Sequence, residues 1–115
     1  MLVEPESAAA GAVVVSAGSV ATSHIALVEV TRAVRRADPG SDALTDAEAL
    51  LGPFLLVDVD DGVLRQAAGL AGSLRSLDAI HLASALTVGA HSMLVYDSRL
   101  ATAATSEGLA VLAPT

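Results

Sequence analysis

Short apolar runs of strand length alternate with helical segments along most of this chain, and this alternation constrains the fold more than any other feature. Candidate strands cover residues 19–23, 54–59, 92–96 and 109–112, and candidate helices lie between them. This order of elements predicts a parallel sheet covered by helices on both faces. The predicted fold class is therefore α/β, with a short parallel sheet in a three-layer α/β/α arrangement.

Helix-starting and helix-ending residues bound the helical segments. Helices are predicted at residues 4–17, 24–37, from 41 or 45 to 51, from 60 or 61 to 71, 76–88 and 98–107. The first is ambiguous, because its Val13-Val14-Val15 run would suit a strand as well. The nearly continuous apolar run at residues 54–59 predicts a strand buried on both faces. We find no repeat or linker, and expect a single domain over residues 1–115.

The composition excludes several classes of protein. Hydrophobic residues make up 53% of the 115 residues, but there is only one Tyr and one Phe, so Ala, Val, Leu and Ile must build the core. The absence of cysteine rules out disulfides and thiol catalysis. No apolar run approaches the ~20 residues of a membrane span, and the acidic first residues are unlike a secretory signal. These features predict a soluble, cytoplasmic protein with no membrane association.

The charge balance bears on the binding partner. The formal net charge is −7, and all six basic residues are arginines. This disfavours a DNA-binding module, because nonspecific binding to phosphates needs many basic contacts. It is compatible with a metal-dependent nuclease, whose clustered acids are negative until cations bind, or with a partner that carries an Arg-rich segment.

Asp78 lies at the start of an otherwise apolar predicted helix, in the segment LRSLDAIHLASAL at residues 74–86. With Ser76 as the N-cap, Asp78 falls in the first turn, where the helix dipole favours a negative charge. Asp78 is therefore either a dipole partner or a carboxylate that projects into a cleft with other acids.

Two further acids are predicted at the same edge of the sheet as Asp78. Asp97 directly follows a strand, and Glu29 lies one turn into the helix after residues 19–23. Individually, Asp97 could cap a helix and Glu29 could pair with Arg32. Together, three converging carboxylates repel one another unless a cation lies between them, and an all-oxygen site suits Mg²⁺ or Mn²⁺. Two such ions could activate water and stabilise the leaving oxygen in phosphodiester hydrolysis.

Other polar residues are weaker candidates. Asp58, Asp60 and Asp61 form a rival acidic cluster after a predicted strand, although two of them are expected to cap a helix or face solvent. The three histidines show no metal-ligand spacing. His81 follows Asp78 by three residues and could hydrogen-bond near the site, but a packed structural role is the favoured interpretation. The glycines form no nucleotide-binding pattern.

Three motifs occur in a characteristic order along the chain. They are TSHIALVEVTR at residues 22–32, LRSLDAIHLA at 74–83 and VYDSRL at 95–100, and GLAVLAP follows at 108–114. Together they resemble the PIN-domain ribonucleases, specifically the VapC-type toxins of bacterial toxin–antitoxin pairs. The resemblance covers nearly the whole chain.

This resemblance implies both an activity and a set of ligands. Glu29, Asp78 and Asp97 match three of the family's metal-binding acids, which implies endoribonuclease cleavage that depends on Mg²⁺ or Mn²⁺. The resemblance implies that the protein is the toxin of a type II toxin–antitoxin system and that it hydrolyses RNA phosphodiester bonds. The implied partners are the RNA substrate, a cognate VapB-like antitoxin whose tail occupies the cleft, and a second copy in a homodimer.

Three polar residues are candidates for contacting substrate or supporting the acids. Arg75 and Arg99 are the arginines nearest the acids in sequence, and Ser23 ends the strand before the helix of Glu29. None of the three is expected to bind a cofactor.

The chain also departs from the family pattern. Family members begin with a strand that carries an acid, whereas this chain starts at a later segment, LVEPES at residues 2–7. The expected consequence is a gap between the strands at residues 19–23 and 92–96, because the family's first strand is central in the sheet. The simplest interpretation is an N-terminally truncated PIN-like domain whose Met1 is not the native start.

Two other functions are kept open. One is a catalytically incomplete PIN-like module that binds an antitoxin without cleaving RNA, since the first-strand acid is absent. The other is a Mg²⁺-dependent phosphatase-like or receiver-like domain, for which Asp58 is the nearest candidate phospho-acceptor.

Overall fold

A computed structural model describes residues 13–16, 19–95 and 98–112. Within these residues, five strands form one sheet, and five helices accompany it. The strands are β1 (Val13–Ser16), β2 (Ser19–Ser23), β3 (Leu55–Val57), β4 (Ser92–Leu94) and β5 (Ala110–Leu112). The helices are α1 (Ala26–Ala37), α2 (Ala43–Leu51), α3 (Asp61–Gly69), α4 (Ser76–Thr87) and α5 (Ser98–Ser106).

The sheet has the strand order β3-β2-β1-β4-β5. Strands β2 and β3 pair in parallel, as do β4 and β5, which confirms the predicted parallel pairing on both sides of the sheet. The central strand β1 runs antiparallel to both of its neighbours, with Val13 opposite Ala21 and Met93. The sheet is therefore mixed, and the prediction of a wholly parallel sheet is wrong at its centre.

Strand β1 corrects two expectations from the sequence. The helix predicted at residues 4–17 is wrong for Val13–Ser16, and its remaining residues lie outside the described part of the chain. The gap expected between residues 19–23 and 92–96 is filled, because β1 pairs with both strands. β-Branched valines favour extended backbone, and the backbone groups of two neighbouring strands require partners.

Side-chain caps define where two of the helices begin. Asp60 caps α3 by accepting a hydrogen bond from the Val63 amide at 2.9 Å, which confirms one of the two predicted starts. Helix α2 is capped by Asp42 rather than by Ser41 or Thr45. Apart from the helix predicted at residues 4–17, the other predicted elements agree with the structure to within about two residues, the usual uncertainty of element ends.

The apolar core consists of three clusters, two of which include helix α4. Its largest cluster packs α4 against β2, β4 and α5, with Leu82 and Met93 fully buried. A second cluster joins α3 to α4 through Val63, Ala67 and Ala83. The third joins α1 to α2. Helix α4 is therefore held on several sides, which gives the side chains along it a fixed position.

Among the described strands, β3 lies at an edge of the sheet and is more exposed than the sequence predicts. Leu55 is 58% exposed and Leu56 is exposed as well, so the prediction of a strand buried on both faces is wrong. A continuous apolar run identified the strand but could not show that it lies at the edge of the sheet. In the part of the chain that is described, no helix is both long enough and apolar enough to cross a membrane.

Candidate active site

Glu29 and His81 join helix α1 to helix α4. Glu29 lies in the first turn of α1, and its side chain is 29% exposed. His81 lies in the middle of α4 and is only 2% exposed. Nε2 of His81 is 2.6 Å from Oε1 of Glu29. The alternative in which Glu29 pairs with Arg32 is not observed among the described residues, where the close partner of Glu29 is a buried histidine 52 residues away.

The direction of this hydrogen bond follows from the chemistry of its partners. An ionised carboxylate only accepts hydrogen bonds, so the His81 ring donates its Nε2–H to Glu29. The other ring nitrogen, Nδ1, has no hydrogen-bond partner among the described residues. The hydrogen bonding of this ring is therefore directed at one carboxylate oxygen.

Asp78 lies one helical turn before His81. Residues three apart on a helix share a face, with about 5–6 Å between their Cβ atoms. Asp78 therefore lies on the face of α4 that meets Glu29, and its side chain is 23% exposed. Nε of Arg75 approaches Oδ2 of Asp78 at 3.6 Å. Ser76 is the first helical residue rather than the N-cap, which is Arg75 and makes no side-chain capping bond.

Of the remaining predicted site residues, the structure describes Ser23 and Arg99. Asp97 lies outside the described residues, so its position stays a prediction. Ser23 is buried, and its Oγ accepts a hydrogen bond from the Ile25 amide at 3.2 Å, which fixes the turn into α1. Arg99 lines a cavity of about 390 Å³ between the 70–74 loop and α5, a feature that the sequence did not indicate.

The structure gives different surroundings to the three acids of the rival cluster, Asp58, Asp60 and Asp61. Asp60 caps α3, and Asp61 pairs with Arg65 one turn further along that helix at 2.7 Å. The side chain of Asp58 is 90% exposed and lies 3.9 Å from His24. The expectation that two of these acids cap or face solvent is confirmed.

The donor set of the Glu29–Asp78 region suits a hard cation. Carboxylate oxygens are the ligands that Mg²⁺ and Mn²⁺ prefer, and both side chains retain access to solvent. Within residues 13–16, 19–95 and 98–112, no group of three or more acids, histidines or cysteines is arranged to hold a metal. The chemistry of the two acids is compatible with a divalent cation, and metal binding stays a prediction.

Comparison with known proteins shows the family to which this fold belongs. A PIN-domain family model matches residues 2–105, and the chain belongs to the PIN-domain family. The chain is similar to Ribonuclease VapC35 of Mycobacterium tuberculosis, with 41% identity over 100 residues that cover 81% of this chain and 71% of the relative. It is equally similar to Ribonuclease VapC46 of the same organism, with 41% identity over 96 residues that cover 81% and 72% of the two chains. No solved structure matches the chain.

Proposed function

We propose that this protein is a metal-dependent endoribonuclease toxin of a type II toxin–antitoxin system. The observation that carries the proposal is the hydrogen bond between Glu29 on α1 and His81 on α4. His81 lies one helical turn after Asp78, so this bond links the helix of one acid to the helix of the other. The 41% identity to two relatives named as VapC ribonucleases supports the same assignment. The reaction is hydrolysis of RNA phosphodiester bonds.

Glu29, Asp78 and Asp97 are the proposed ligands of Mg²⁺ or Mn²⁺. Divalent cations bound to such carboxylates supply Lewis-acid activation of water and neutralise charge on the phosphate. The three acids orient the cations and raise their local concentration. The acidic character of the chain, with a net charge of −7, favours this recruitment.

Arginines are the proposed contacts to the RNA backbone. Arg75 is 76% exposed and lies beside Asp78, so its guanidinium can approach a phosphate at the acidic site. Arg99 lines the cavity next to the start of α5, one helix further along the chain. Ser23 has a positioning role in the proposal, because its buried hydroxyl fixes the turn that precedes Glu29.

Cleavage of RNA by the purified chain tests the proposed function. We expect degradation of a mixed RNA substrate in Mn²⁺ or Mg²⁺, none in excess EDTA, and recovery when Mn²⁺ is restored. Single-stranded DNA of the same sequence serves as the control substrate. A folded chain that leaves RNA intact at every Mn²⁺ concentration contradicts the proposal and supports the non-catalytic module that binds an antitoxin.

The proposed partners are a VapB-like antitoxin with a basic tail and a second copy of the chain, in the cytoplasm. The net charge of −7 complements a basic tail, and exposed Leu55, Leu56 and Val28 supply apolar surface for self-association. Light scattering of the purified protein is expected to give twice the mass of one chain. When the basic protein encoded by the neighbouring gene is added, the measured mass is expected to increase further. A mass of one chain at all concentrations would exclude the homodimer.

A further inference from the structure

His81 is an unusual residue to bury in the middle of helix α4. Its neighbours Leu82, Ala83 and Ala85 are all buried apolar residues, and an apolar side chain would satisfy packing at this position without needing a partner. The ring instead makes a 2.6 Å hydrogen bond to Glu29, which links α4 to α1. The polar character of His81 therefore has one described use, which is to hold a carboxylate.

The Glu29 side chain is flexible, so a partner is needed to hold its carboxylate in one position. A glutamate has several rotatable bonds, and at 29% exposure the side chain of Glu29 is not confined by packing alone. The His81 ring is rigid and deeply buried, so it holds Oε1 at a fixed point. The second oxygen, Oε2, takes no part in this bond.

We propose that His81 is a positioning residue that fixes the Glu29 carboxylate for cation binding. This inference rests on the proposed function, because it assigns His81 a role toward the cation that the acids would bind. His81 does not itself contact the cation or the RNA in this scheme. His81 hydrogen-bonds one oxygen of Glu29 and thereby orients the other oxygen. Residues that hydrogen-bond to metal ligands have this effect in many proteins.

The second ring nitrogen of His81, Nδ1, is buried and helps to distinguish a positioning role from a place in a larger hydrogen-bond network. Nδ1 has no partner among the described residues, so the ring is not part of a wider hydrogen-bond network there. Nearby Ser84, also buried on α4, donates to the Ile80 carbonyl at 2.8 Å within its own helix. Ser84 therefore supplies a matched control: a buried polar residue on the same helix with no described bond to an acid.

The test measures Mn²⁺ binding by calorimetry in the full chain and in four variants, of which Glu29→Leu gives the affinity without the Glu29 carboxylate. In His81→Leu the ring is lost, and we expect Mn²⁺ affinity to fall about 10–100-fold, the usual effect of removing an outer partner of a ligand. In His81→Gln the side-chain amide can still donate to Glu29, so most of the affinity should return. Ser84→Ala should bind Mn²⁺ as the unchanged chain does.

Metal-free measurements keep the inference separate from the proposed function. Two-bond nitrogen–proton spectra of the unchanged chain should place a hydrogen on Nε2 of His81, and its signal should shift in Glu29→Leu. If the spectra show this bond but the unchanged chain binds no Mn²⁺, the metal role of both residues is overturned while their pairing stands.

Two results would overturn the positioning role while leaving the proposed function intact. One is Mn²⁺ affinity in folded His81→Leu equal to that of the unchanged chain. The other, which applies even if His81→Leu fails to fold, is a folded His81→Gln variant whose Mn²⁺ affinity is as low as that of Glu29→Leu. A hydrogen found only on Nδ1 would likewise contradict the donated bond.

Discussion

Replacing Asp78 by asparagine is expected to reduce divalent-metal-dependent RNA cleavage by more than about 100-fold, since even outer partners of metal ligands change activity by 10–100-fold. Asparagine keeps the size of the side chain and its place in the first turn of α4 but removes the charge that would hold a cation. Initial cleavage rates at saturating Mn²⁺ measure the effect. The fold should survive, because Asp78 is a half-buried side chain outside the three core clusters.

Asp46→Asn is the matched control for this variant. Asp46 also lies in the first turn of a helix, α2, and is also half-buried, so it shares the dipole environment of Asp78. If Asp78 were only a dipole partner, the two variants would behave alike. Equal cleavage by both variants and by the unchanged chain would contradict the assignment of Asp78 to the active site.

Replacing Leu82 by alanine is expected to lower the free energy of unfolding by about 2–5 kcal/mol, the range found for buried leucines that leave a cavity. Leu82 is 0% exposed and belongs to the cluster that joins α4 to β2, β4 and α5. That loss is a large part of the roughly 5–15 kcal/mol that stabilises a domain of this kind. Urea unfolding followed by circular dichroism measures it.

Leu77→Ala provides the comparison on the same helix. Leu77 is 45% exposed, so its truncation removes less buried surface and should cost about 1 kcal/mol or less. A loss in Leu77→Ala that matches the loss in Leu82→Ala would show that α4 is not packed as described.

Local sequence signals predicted most of the elements but could not place them in the sheet. Asp60 marked the start of α3 correctly because a capping bond spans only three residues. The valine run at Val13–Ser16 suited helix and strand alike, and pairing with Met93, some 80 residues away, decided between them. The exposure of Leu55 depends on which strands lie beside β3, and no local pattern contains that information.

The roles of the candidate site residues stay predictions, and the structure bears only on where they lie. Glu29 and Asp78 were identified from their positions in their helices and from family motifs, and both lie on helices next to His81. The alternative partner Arg32 satisfies helix spacing, but the described partner of Glu29 is His81, which lies 52 residues away and which no local pattern could indicate. Helical spacing did place His81 on the face of Asp78, which was the available signal.

The central position of β1 has a consequence for how the fold opens. Among the described strands, β1 alone connects the β2–β3 pair to the β4–β5 pair through backbone hydrogen bonds. If β1 detaches, the two pairs are linked mainly by helix α4 and the cluster around Leu82. The β1 amide hydrogens that bond to neighbouring strands therefore exchange with solvent only when the sheet separates at β1 into two halves. They do not exchange by fraying at an edge of the sheet.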